Sequence, residues 1–394
     1  MGFAVTYQTD KRFRTMAHCN TIFHQMLKLI PRHHFAKLEA EHGTGRKTRS
    51  FTRWSQLVHL ISMQLTARAS LRDGIASLKA RLKSLYHLGV KPVARSTFAD
   101  ANNQRPASFL AALFASMYQG CQPVTPKHKF YSLDATVVSL CLSLFPWASF
   151  RRTKAGVKLH TLIDHDGYLP AFAAITPARE HEIKKARTLN LPKGSIVVAD
   201  LGYTDYAWYG QLSVPKIFFV TRQKTNARYR VLEKRTVNTA LGLASDETIQ
   251  LTGAKARECP QSLRRIVYQD PETEKVYVFL TNHFRLAAKT IATIYKERWQ
   301  IEIFFRFIKQ NLKIKAFIGN SENAVMSQIY AALIVYLLLC YTKFLCNLNV
   351  ALQHFMRVLQ LNLFQTCTVQ ELFEPPCPTP DNMNVNNQLC LTWA

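Results

Sequence analysis

The chain has 394 residues and a mass of 45.1 kDa, a length that is typical of two or three domains and sufficient to bury a hydrophobic core. Hydrophobic residues make up 48% of the sequence, which excludes a wholly disordered chain. The 51 Lys and Arg residues outnumber the 25 Asp and Glu residues and give a net charge of +26. A positive surplus of this size favours a polyanionic partner. Nucleic acid is the first candidate, and an anionic membrane surface is the second.

Cysteine usage and hydropathy indicate a cytoplasmic protein. The nine cysteines are odd in number and include no Cys-x-x-Cys pair, which predicts reduced thiols rather than disulfides or a zinc finger. The first residues have no apolar segment of the kind found in a signal peptide. The most apolar stretch, 329–340, has 12 residues, whereas a membrane span needs about 20. It therefore predicts a buried helix, and no membrane association is expected.

The first hundred residues predict a small, basic, all-helical module, with 17 Lys and Arg against 5 Asp and Glu. Apolar residues recur with helical spacing in three segments, at 18–42, 51–68 and 70–85. Pro31 breaks the first segment, and Ser70 is a plausible N-cap for the last. We expect a basic helical domain at 16–95, followed by a linker with a helix at 96–126.

From residue 127 the apolar pattern changes from helical to strand-like. Strands are predicted at 127–142, 157–163, 169–176, 195–200 and 216–222. The His165-Asp166-Gly167 turn joins the second and third of them as a hairpin, and a helix is predicted at 180–189. Strands, a helix and then a short, continuously apolar strand indicate a mixed α/β core.

The remaining segments complete the domain prediction. Residues 222–285 are rich in strands and polar turns and are predicted to be an insertion or an appended β region. The core is then formed by 127–221 together with 286–362, which begins with a strongly helical segment. Residues 1–15 are an uncertain N-terminal extension, with Met16 as an alternative start. Residues 363–394 are rich in Pro and Asn and predict a poorly ordered tail.

Two aspartates stand at unusual places in the predicted core. Asp134 lies inside the apolar strand FYSLDATVV, and Asp200 ends the buried strand of IVVAD. Each could be a satisfied polar residue. However, a buried carboxylate is costly unless it is paired or coordinates a metal, and aspartates at the ends of adjacent strands would converge. Such a cluster suits Mg²⁺ or Mn²⁺.

A third acidic residue lies on a predicted helix at 294–312. Tyr295, Arg298, Glu302 and Lys309 fall within about 60° of one another around that helix, so they share one face. A neighbouring apolar stripe would dock the helix on the core; it comprises Ile301, Phe304, Phe305 and Ile308. From spacing alone, Arg298 and Glu302 could also be a plain i, i+4 ion pair.

The spacing Tyr-x₂-Arg-x₃-Glu-x₆-Lys of these four residues resembles the signature of DDE transposases of the insertion-sequence-4 group. Further segments resemble the same group across roughly 16–350. They are RSTFADANNQRP, SLDAT around Asp134, KLHTLIDHDGYLP, PAREHEIKKA and VADLGY around Asp200.

The resemblance implies a fold and a metal-dependent chemistry. The fold is α/β, with a ribonuclease-H-like catalytic core, a β-rich insertion and a preceding all-helical DNA-binding domain. Asp134 would lie on the first core strand, Asp200 just after the fourth and Glu302 on a late helix. The resemblance makes these three residues the catalytic carboxylates, which would hold two Mg²⁺ or Mn²⁺ ions for DNA cleavage and strand transfer.

The resemblance also assigns supporting residues. Arg298 and Lys309 would contact phosphates near the transposon end, and Tyr295 would bind a phosphate oxygen or orient the carboxylates. Trp299, next to the signature, could stack on a base, but core packing is the favoured reading. Family members often form a DNA hairpin and hold a flipped base against an aromatic residue. The insertion here has no Trp, and its large aromatic candidates are Tyr229, Tyr268, Tyr277, Phe279 and Phe284.

Basic and histidine residues near these motifs have two possible roles. The dense basic run of Arg151, Arg152, Lys154 and Lys158 could be a solvated face, but on a protein of this charge we favour contact with the DNA backbone. His181 is read as a surface or capping residue, although a role near the metals is conceivable. His160 is read as structural, and His165 belongs to the predicted turn.

Together these observations predict a DNA transposase that works by cut-and-paste, possibly through a hairpin, on terminal inverted repeats and target DNA. A homodimer is expected because two ends must be cut together. The location would be the bacterial cytoplasm, in association with the nucleoid. Two alternatives remain at this point: a structure-specific nuclease without strand transfer, and an inactive DNA-binding relic that acts as a repressor.

Overall fold

The computed structural model describes residues 20–42, 50–121, 129–312, 314 and 316–374. The predicted extension at 1–15, the alternative start at Met16 and the part of the predicted tail beyond 374 lie outside these residues.

Helices precede the sheet, and side-chain caps define several of their starts. The Thr52 and Ser70 side chains accept hydrogen bonds from the backbone amides of Ser55 and Asp73, which confirms the N-cap at Ser70. Pro31 precedes the second helix, as predicted. The helices are α1 (Ile22–Leu27), α2 (Arg32–Glu41), α3 (Arg53–Leu65), α4 (Leu71–Lys79), α5 (Leu82–His87), α6 (Arg95–Gln104) and α7 (Ser108–Gly120). The single helix predicted at 70–85 is wrong, because the backbone leaves the helical region at Arg81 and separates α4 from α5.

The strands of the described residues form one ten-stranded sheet. They are β1 (Phe130–Leu140), β2 (Ser149–Arg151), β3 (Lys154–Asp164), β4 (Leu169–Pro177), β5 (Ile196–Ala199), β6 (Phe218–Arg222), β7 (Tyr229–Arg235), β8 (Leu243–Leu251), β9 (Leu263–Gln269) and β10 (Val276–Thr281). The order is β2-β3-β1-β5-β6-β10-β9-β8-β7, and β4 pairs with β3. The predicted hairpin around His165 is confirmed, since β3 and β4 pair antiparallel across it.

Strand direction changes within the sheet. β1 is antiparallel to β3 and parallel to β5, and β5 is parallel to β6. β5 is short and almost wholly buried, as its continuous apolar sequence predicts. The strands of the predicted insertion extend this same sheet, because β10 pairs directly with β6.

The later helices complete the layers around the sheet. They are α8 (Glu182–Ala186), α9 (Tyr206–Ser213), α10 (Ala288–Glu297), α11 (Trp299–Asn311), α12 (Glu322–Leu345) and α13 (Leu352–Asn362). The helix predicted at 180–189 is therefore present but shorter.

The long helix α12 is apolar on all sides. Its length and composition would allow it to cross a membrane, but 83% of its most apolar window is buried inside the protein. The first helices α3, α6 and α7 pack against it and share one hydrophobic core with it. A helix that is apolar all round needs such cover on every side. The predicted buried helix is confirmed, although it extends well beyond 329–340 at both ends.

The first part of the predicted tail is ordered. Leu363 and Val369 are buried, and the backbone amide of Phe23 donates a hydrogen bond to the Leu363 carbonyl. The ring of Phe373 lies 5.4 Å from that of Phe355 on α13. The expectation of poor order is therefore wrong for 363–374, because these residues cover apolar surface of α1 and α13.

The burial of α12 predicts that substitutions of two leucines change the free energy of unfolding by different amounts. Leu333 is fully buried on α12, and Leu361 is 84% exposed on α13. Leu333→Ala should lower the free energy of unfolding by about 2–5 kcal/mol because it leaves a cavity, whereas Leu361→Ala should change it by less than about 0.5 kcal/mol. Denaturant titration of both variants measures this, and equal effects would contradict the packing of α12.

Candidate active site

Strand register brings two carboxylates together. β1 and β5 run parallel, with Leu133 opposite Ala199, and the next residue on each is acidic. These residues are Asp134, within β1, and Asp200, directly after β5. The predicted convergence of Asp134 and Asp200 therefore follows from the sheet itself.

Backbone amides hold one oxygen of each aspartate. The Asp134 Oδ1 atom accepts a hydrogen bond of 2.7 Å from the amide of Ala135. The Asp200 Oδ1 atom accepts one of 2.8 Å from the amide of Gly202, at the start of a short 3-10 turn. Both carboxylates are fixed by local backbone, and their Oδ2 atoms remain for other partners.

Arg298 joins the sheet to the helix that carries Glu302. Its Nη1 atom lies 3.3 Å from Asp134 Oδ2, and its Nη2 atom donates to Glu302 Oε1 at 2.7 Å. The helix predicted at 294–312 is present but is interrupted at one residue, Arg298, where α10 and α11 meet with the backbone still in the right-handed helical region. The i, i+4 ion pair of Arg298 with Glu302 is present, and Arg298 also forms an ion pair with Asp134.

The other two signature residues lie on either side of Arg298. The Tyr295 ring is 4.9 Å from the Phe279 ring, and burial raises the pKa of the Tyr295 hydroxyl. Lys309 Nζ donates to Thr136 Oγ1 at 2.5 Å, two residues beyond Asp134 on β1. The predicted apolar stripe of α11 is buried against the core; its members are Ile301, Phe304, Phe305 and Ile308.

Burial and like charge act together on Asp134. Burial is the largest cause that raises the pKa of its carboxyl, and the negative charges of Asp200 and Glu182 add to it. The Ala135 amide and Arg298 oppose the change, and the net result is a pKa of about 7. A group in this situation gains most from a nearby cation, because the cation favours the ionised form.

Three residues near this cluster were missed by the sequence reasoning. Glu182 begins α8, and its charge acts on Asp134. Within the part of the chain that the structure describes, the buried Tyr203 hydroxyl and the buried Nε atom of Arg222 have no hydrogen-bond partner. Their positions in the sequence could have marked them as site residues. Glu182 is next to His181 in the motif PAREHE, and Tyr203 ends the motif VADLGY. Arg222 ends a predicted strand.

The donor set fits a hard divalent cation in its chemistry. Carboxylate oxygens are the ligands that Mg²⁺ and Mn²⁺ prefer. A Cβ atom on Gly202 would lie 3.0 Å from Asp200 Oδ1 and 3.4 Å from Glu182 Oε2, so glycine keeps space open between these carboxylates. Among the described residues, no three acidic, His or Cys side chains already stand close enough to hold an ion. The carboxylates would therefore need to draw together around it.

The residues of the predicted basic run differ in their exposure and in their contacts. Arg151, Arg152 and Lys154 are exposed, and the first two line a groove together with Arg179. Lys158 differs, because its Nζ atom lies 3.2 Å from Glu182 Oε1 and donates to the Glu180 carbonyl at 2.8 Å. Its charge is thus engaged at the carboxylate cluster rather than displayed on the surface.

With this geometry described, comparison with known proteins identifies the family. The transposase DDE domain model matches residues 125–338. The chain belongs to this transposase family. A second model, a domain of unknown function (DUF4372), matches residues 18–91 in the helical part.

Named relatives agree with this assignment. The chain is 32% identical to the putative transposase y4zB of Sinorhizobium fredii, over 72% of this chain and 81% of the relative. It is 27% identical to a probable transposase for insertion sequence element IS5377 of Geobacillus stearothermophilus, over 86% of this chain and 90% of the relative. A solved piggyBac transposase synaptic complex with hairpin DNA aligns with a TM-score of 0.45 and 13% identity, over 93% of this chain and 81% of that one. The family match and the two named relatives show that the protein is a DNA transposase, an enzyme that cleaves DNA and transfers strands.

The aromatic residues that could stack on a flipped base differ in their exposure to solvent. Trp299 is 49% exposed, so the expectation that it packs in the core is wrong; it lies at the start of α11, away from the buried stripe. Phe279 is buried beneath Tyr295, and Tyr268 binds Lys289 through its hydroxyl. Of the five insertion aromatics, Phe284 is the most open, at 40% exposed. Tyr229 and Tyr277 are half-buried.

The three histidines have local roles. His160 is buried, and its Nε2 atom lies 2.8 Å from Thr176 Oγ1, which confirms the structural reading. His165 stacks on Phe130 at 3.8 Å. His181 is exposed at the N-cap of α8, as predicted, and makes no capping hydrogen bond with its side chain.

The raised pKa of Asp134 predicts a pH-dependent stability in metal-free protein. Between the ordinary pKa of 3.8 and about 7, the folded state holds a proton that the unfolded state has lost, so stability should fall as pH rises through this window. Asp134→Asn should remove this dependence and raise the free energy of unfolding at pH 8 by roughly 1–3 kcal/mol. Denaturant titration in EDTA from pH 4 to pH 8 measures both, with Asp166→Asn in the exposed turn as the control. Equal pH profiles for wild type and Asp134→Asn would contradict the burial argument.

Proposed function

We propose that this transposase belongs to the insertion-sequence-4 group and cuts and pastes its element through a ribonuclease-H-like catalytic domain. The strand pattern supports this domain: β1 is antiparallel to β3 and parallel to β5. Without the three-residue β2, Asp134 lies on the first core strand and Asp200 just after the fourth. Glu302 lies on a late helix, as the proposal requires.

We propose Asp134, Asp200 and Glu302 as the catalytic carboxylates. The observation that carries this proposal is the contact of one guanidinium, that of Arg298, with both Asp134 and Glu302. It brings the carboxylate of a distant helix to the pair formed by strand register. These residues would hold two Mg²⁺ or Mn²⁺ ions, which when bound would activate water or a 3′-hydroxyl and stabilise the leaving oxygen.

The surrounding side chains would position DNA. Arg298 can bind a phosphate through two N–H groups, Lys309 acts as a point charge, and Tyr295 supplies a hydroxyl donor. Arg298 and Lys309 lie at the Asp134 side of the site, and the Arg298 guanidinium lies 5.9 Å from the centre of the Tyr295 ring. This grouping supports contact with the phosphate next to the bond to be cut. We assign Arg151, Arg152 and Lys154 to backbone contact further along the DNA, whereas the burial of Lys158 favours a role within the site.

Other parts of the chain would serve recognition and synapsis. The helical region at 16–95 would bind the terminal inverted repeats, with 96–126 as the connection to the catalytic segments 127–221 and 286–362 and the strands of 222–285 as an insertion. A homodimer would hold the two ends for concerted cutting. The protein would act in the bacterial cytoplasm, in association with the nucleoid.

The catalytic assignment predicts loss of activity in Glu302→Gln. This change keeps the side-chain size but removes a metal-binding charge, so Mg²⁺-dependent cleavage of a duplex that carries the element's own end should fall ~100-fold or more. Glu297→Gln, which removes the same charge at the end of α10, should cleave at nearly the wild-type rate.

The same assay separates the alternatives. Cleavage followed by joining to target DNA, lost only in Glu302→Gln, supports the proposal. Cleavage without joining would favour a structure-specific nuclease. Tight binding of the ends without cleavage in Mg²⁺ or Mn²⁺ would favour an inactive relic or repressor.

The phosphate role of Lys309 predicts a salt effect. Lys309→Ala should weaken binding of the transposon end and reduce the slope of log affinity against log salt by about 1. Lys296→Ala, on an exposed lysine paired with Glu272, serves as the control and should leave the slope unchanged. Normal binding and cleavage by Lys309→Ala at all salt concentrations would rule out the phosphate contact.

A further inference from the structure

Glu182 occupies a bridging position at the carboxylate cluster. Its Oε1 atom lies 3.2 Å from Lys158 Nζ. Its Oε2 atom faces the space over Gly202, 3.4 Å from the position of an added Cβ, and Asp200 Oδ1 borders the same space at 3.0 Å. One oxygen of Glu182 is therefore held by a lysine, while the other faces Asp200.

The buried hydroxyl of Tyr203 is an independent sign of a ligand here. Tyr203 is 1% exposed, and its hydroxyl has no hydrogen-bond partner among the described residues. Burial raises the pKa of this hydroxyl, and the charges of Asp134, Glu182 and Asp200 act in the same direction. A buried, unpaired hydroxyl costs stability unless something completes its hydrogen bonding. A hydrated cation between the carboxylates would bring that partner.

We infer that Glu182 is a fourth carboxylate of this site and binds a divalent cation together with Asp200, with Tyr203 facing the bound ion's hydration shell. The inference rests on the proposed metal-dependent function of the site. Lys158 neutralises the charge of Glu182 through Oε1 until a cation binds, and Gly202 leaves the space that the cation would enter. A side chain at position 202 would close that space.

A purely structural ion pair between Glu182 and Lys158 makes a different prediction. If Glu182 only anchors α8 to β3, then loss of either partner should disturb the site in the same way. If Glu182 is a ligand, the positive charge of Lys158 competes with the cation. Lys158→Met should then strengthen cation binding or leave it unchanged, while Glu182→Gln should weaken it.

The test is Mn²⁺ titration of the full-length, DNA-free protein, followed by the electron paramagnetic resonance signal of free Mn²⁺. Glu182→Gln should weaken at least one Mn²⁺ site about 10-fold or more. Glu180→Gln, which removes the same charge two residues away, is the matched control and should bind as wild type does. Unchanged Mn²⁺ binding in Glu182→Gln, or equal weakening by Lys158→Met, would overturn the inference.

Two further variants guard against misfolding as the explanation. Tyr203→Phe removes only the unpaired hydroxyl, so it should raise the melting temperature in EDTA and yet weaken Mn²⁺ binding. Gly202→Ala should weaken Mn²⁺ binding because its methyl group enters the space between the carboxylates. Wild-type Mn²⁺ affinity in both variants would count against a cation at this position.

Failure of the inference and failure of the proposed function give different results. If wild type binds Mn²⁺ and cleaves transposon ends while Glu182→Gln binds Mn²⁺ equally well, only the fourth ligand is wrong. If wild type binds no Mn²⁺ and cleaves no DNA, the metal-dependent function itself is wrong, and the inference falls with it.

Discussion

The contact of Arg298 with two carboxylates is the interaction on which the site depends. Asp134 and Asp200 are adjacent because two parallel strands place them there, and burial together with their mutual repulsion raises the pKa of Asp134. Glu302 arrives from a helix far along the chain and would add a third negative charge. The guanidinium offsets this repulsion by binding Asp134 and Glu302 at once. The α10–α11 junction falls at Arg298, so the interruption of the helix and the charge bridge occur at one residue.

A second constraint, the apolar surface of α12, explains why the helical region is not a detached module. A helix buried on every side must be enclosed by several elements, and here α3, α6 and α7 supply much of that cover. Ser321, the N-cap of α12, also bonds to Asn103 on α6. The first helices and the site-bearing helix α11 therefore belong to one hydrophobic core. Any DNA bound by the first helices would be held at a fixed position relative to Glu302.

Much of this arrangement was predictable from local pattern. The failures at Arg298 and Glu182 have a common cause, which is that both residues depend on long-range contacts. Strand periodicity predicted β1, β3, β4, β5 and β6, and acidic residues in apolar strands marked Asp134 and Asp200. The interruption at Arg298 was not predictable, because it coincides with long-range contacts that no local spacing encodes. Glu182 was overlooked for the same reason: a charged residue at the start of a short helix is ordinary until β3 and the turn after β5 are placed beside it. Trp299 was misplaced because aromatic residues are usually buried, whereas the helix face that carries it points to solvent.

Asp134, Glu302 and Glu182 are each paired with a cationic side chain, and this pairing has a consequence for the proposed chemistry. Arg298 holds Asp134 and Glu302, Lys158 holds Glu182, and Lys309 is bonded to Thr136 beside them. If Arg298 also binds a DNA phosphate, its N–H groups cannot fully serve the phosphate and both carboxylates together. Phosphate binding would then free the carboxylates for metal, and metal binding would free Arg298 for phosphate. Because such linkage is reciprocal, DNA and divalent cation would each raise the affinity for the other.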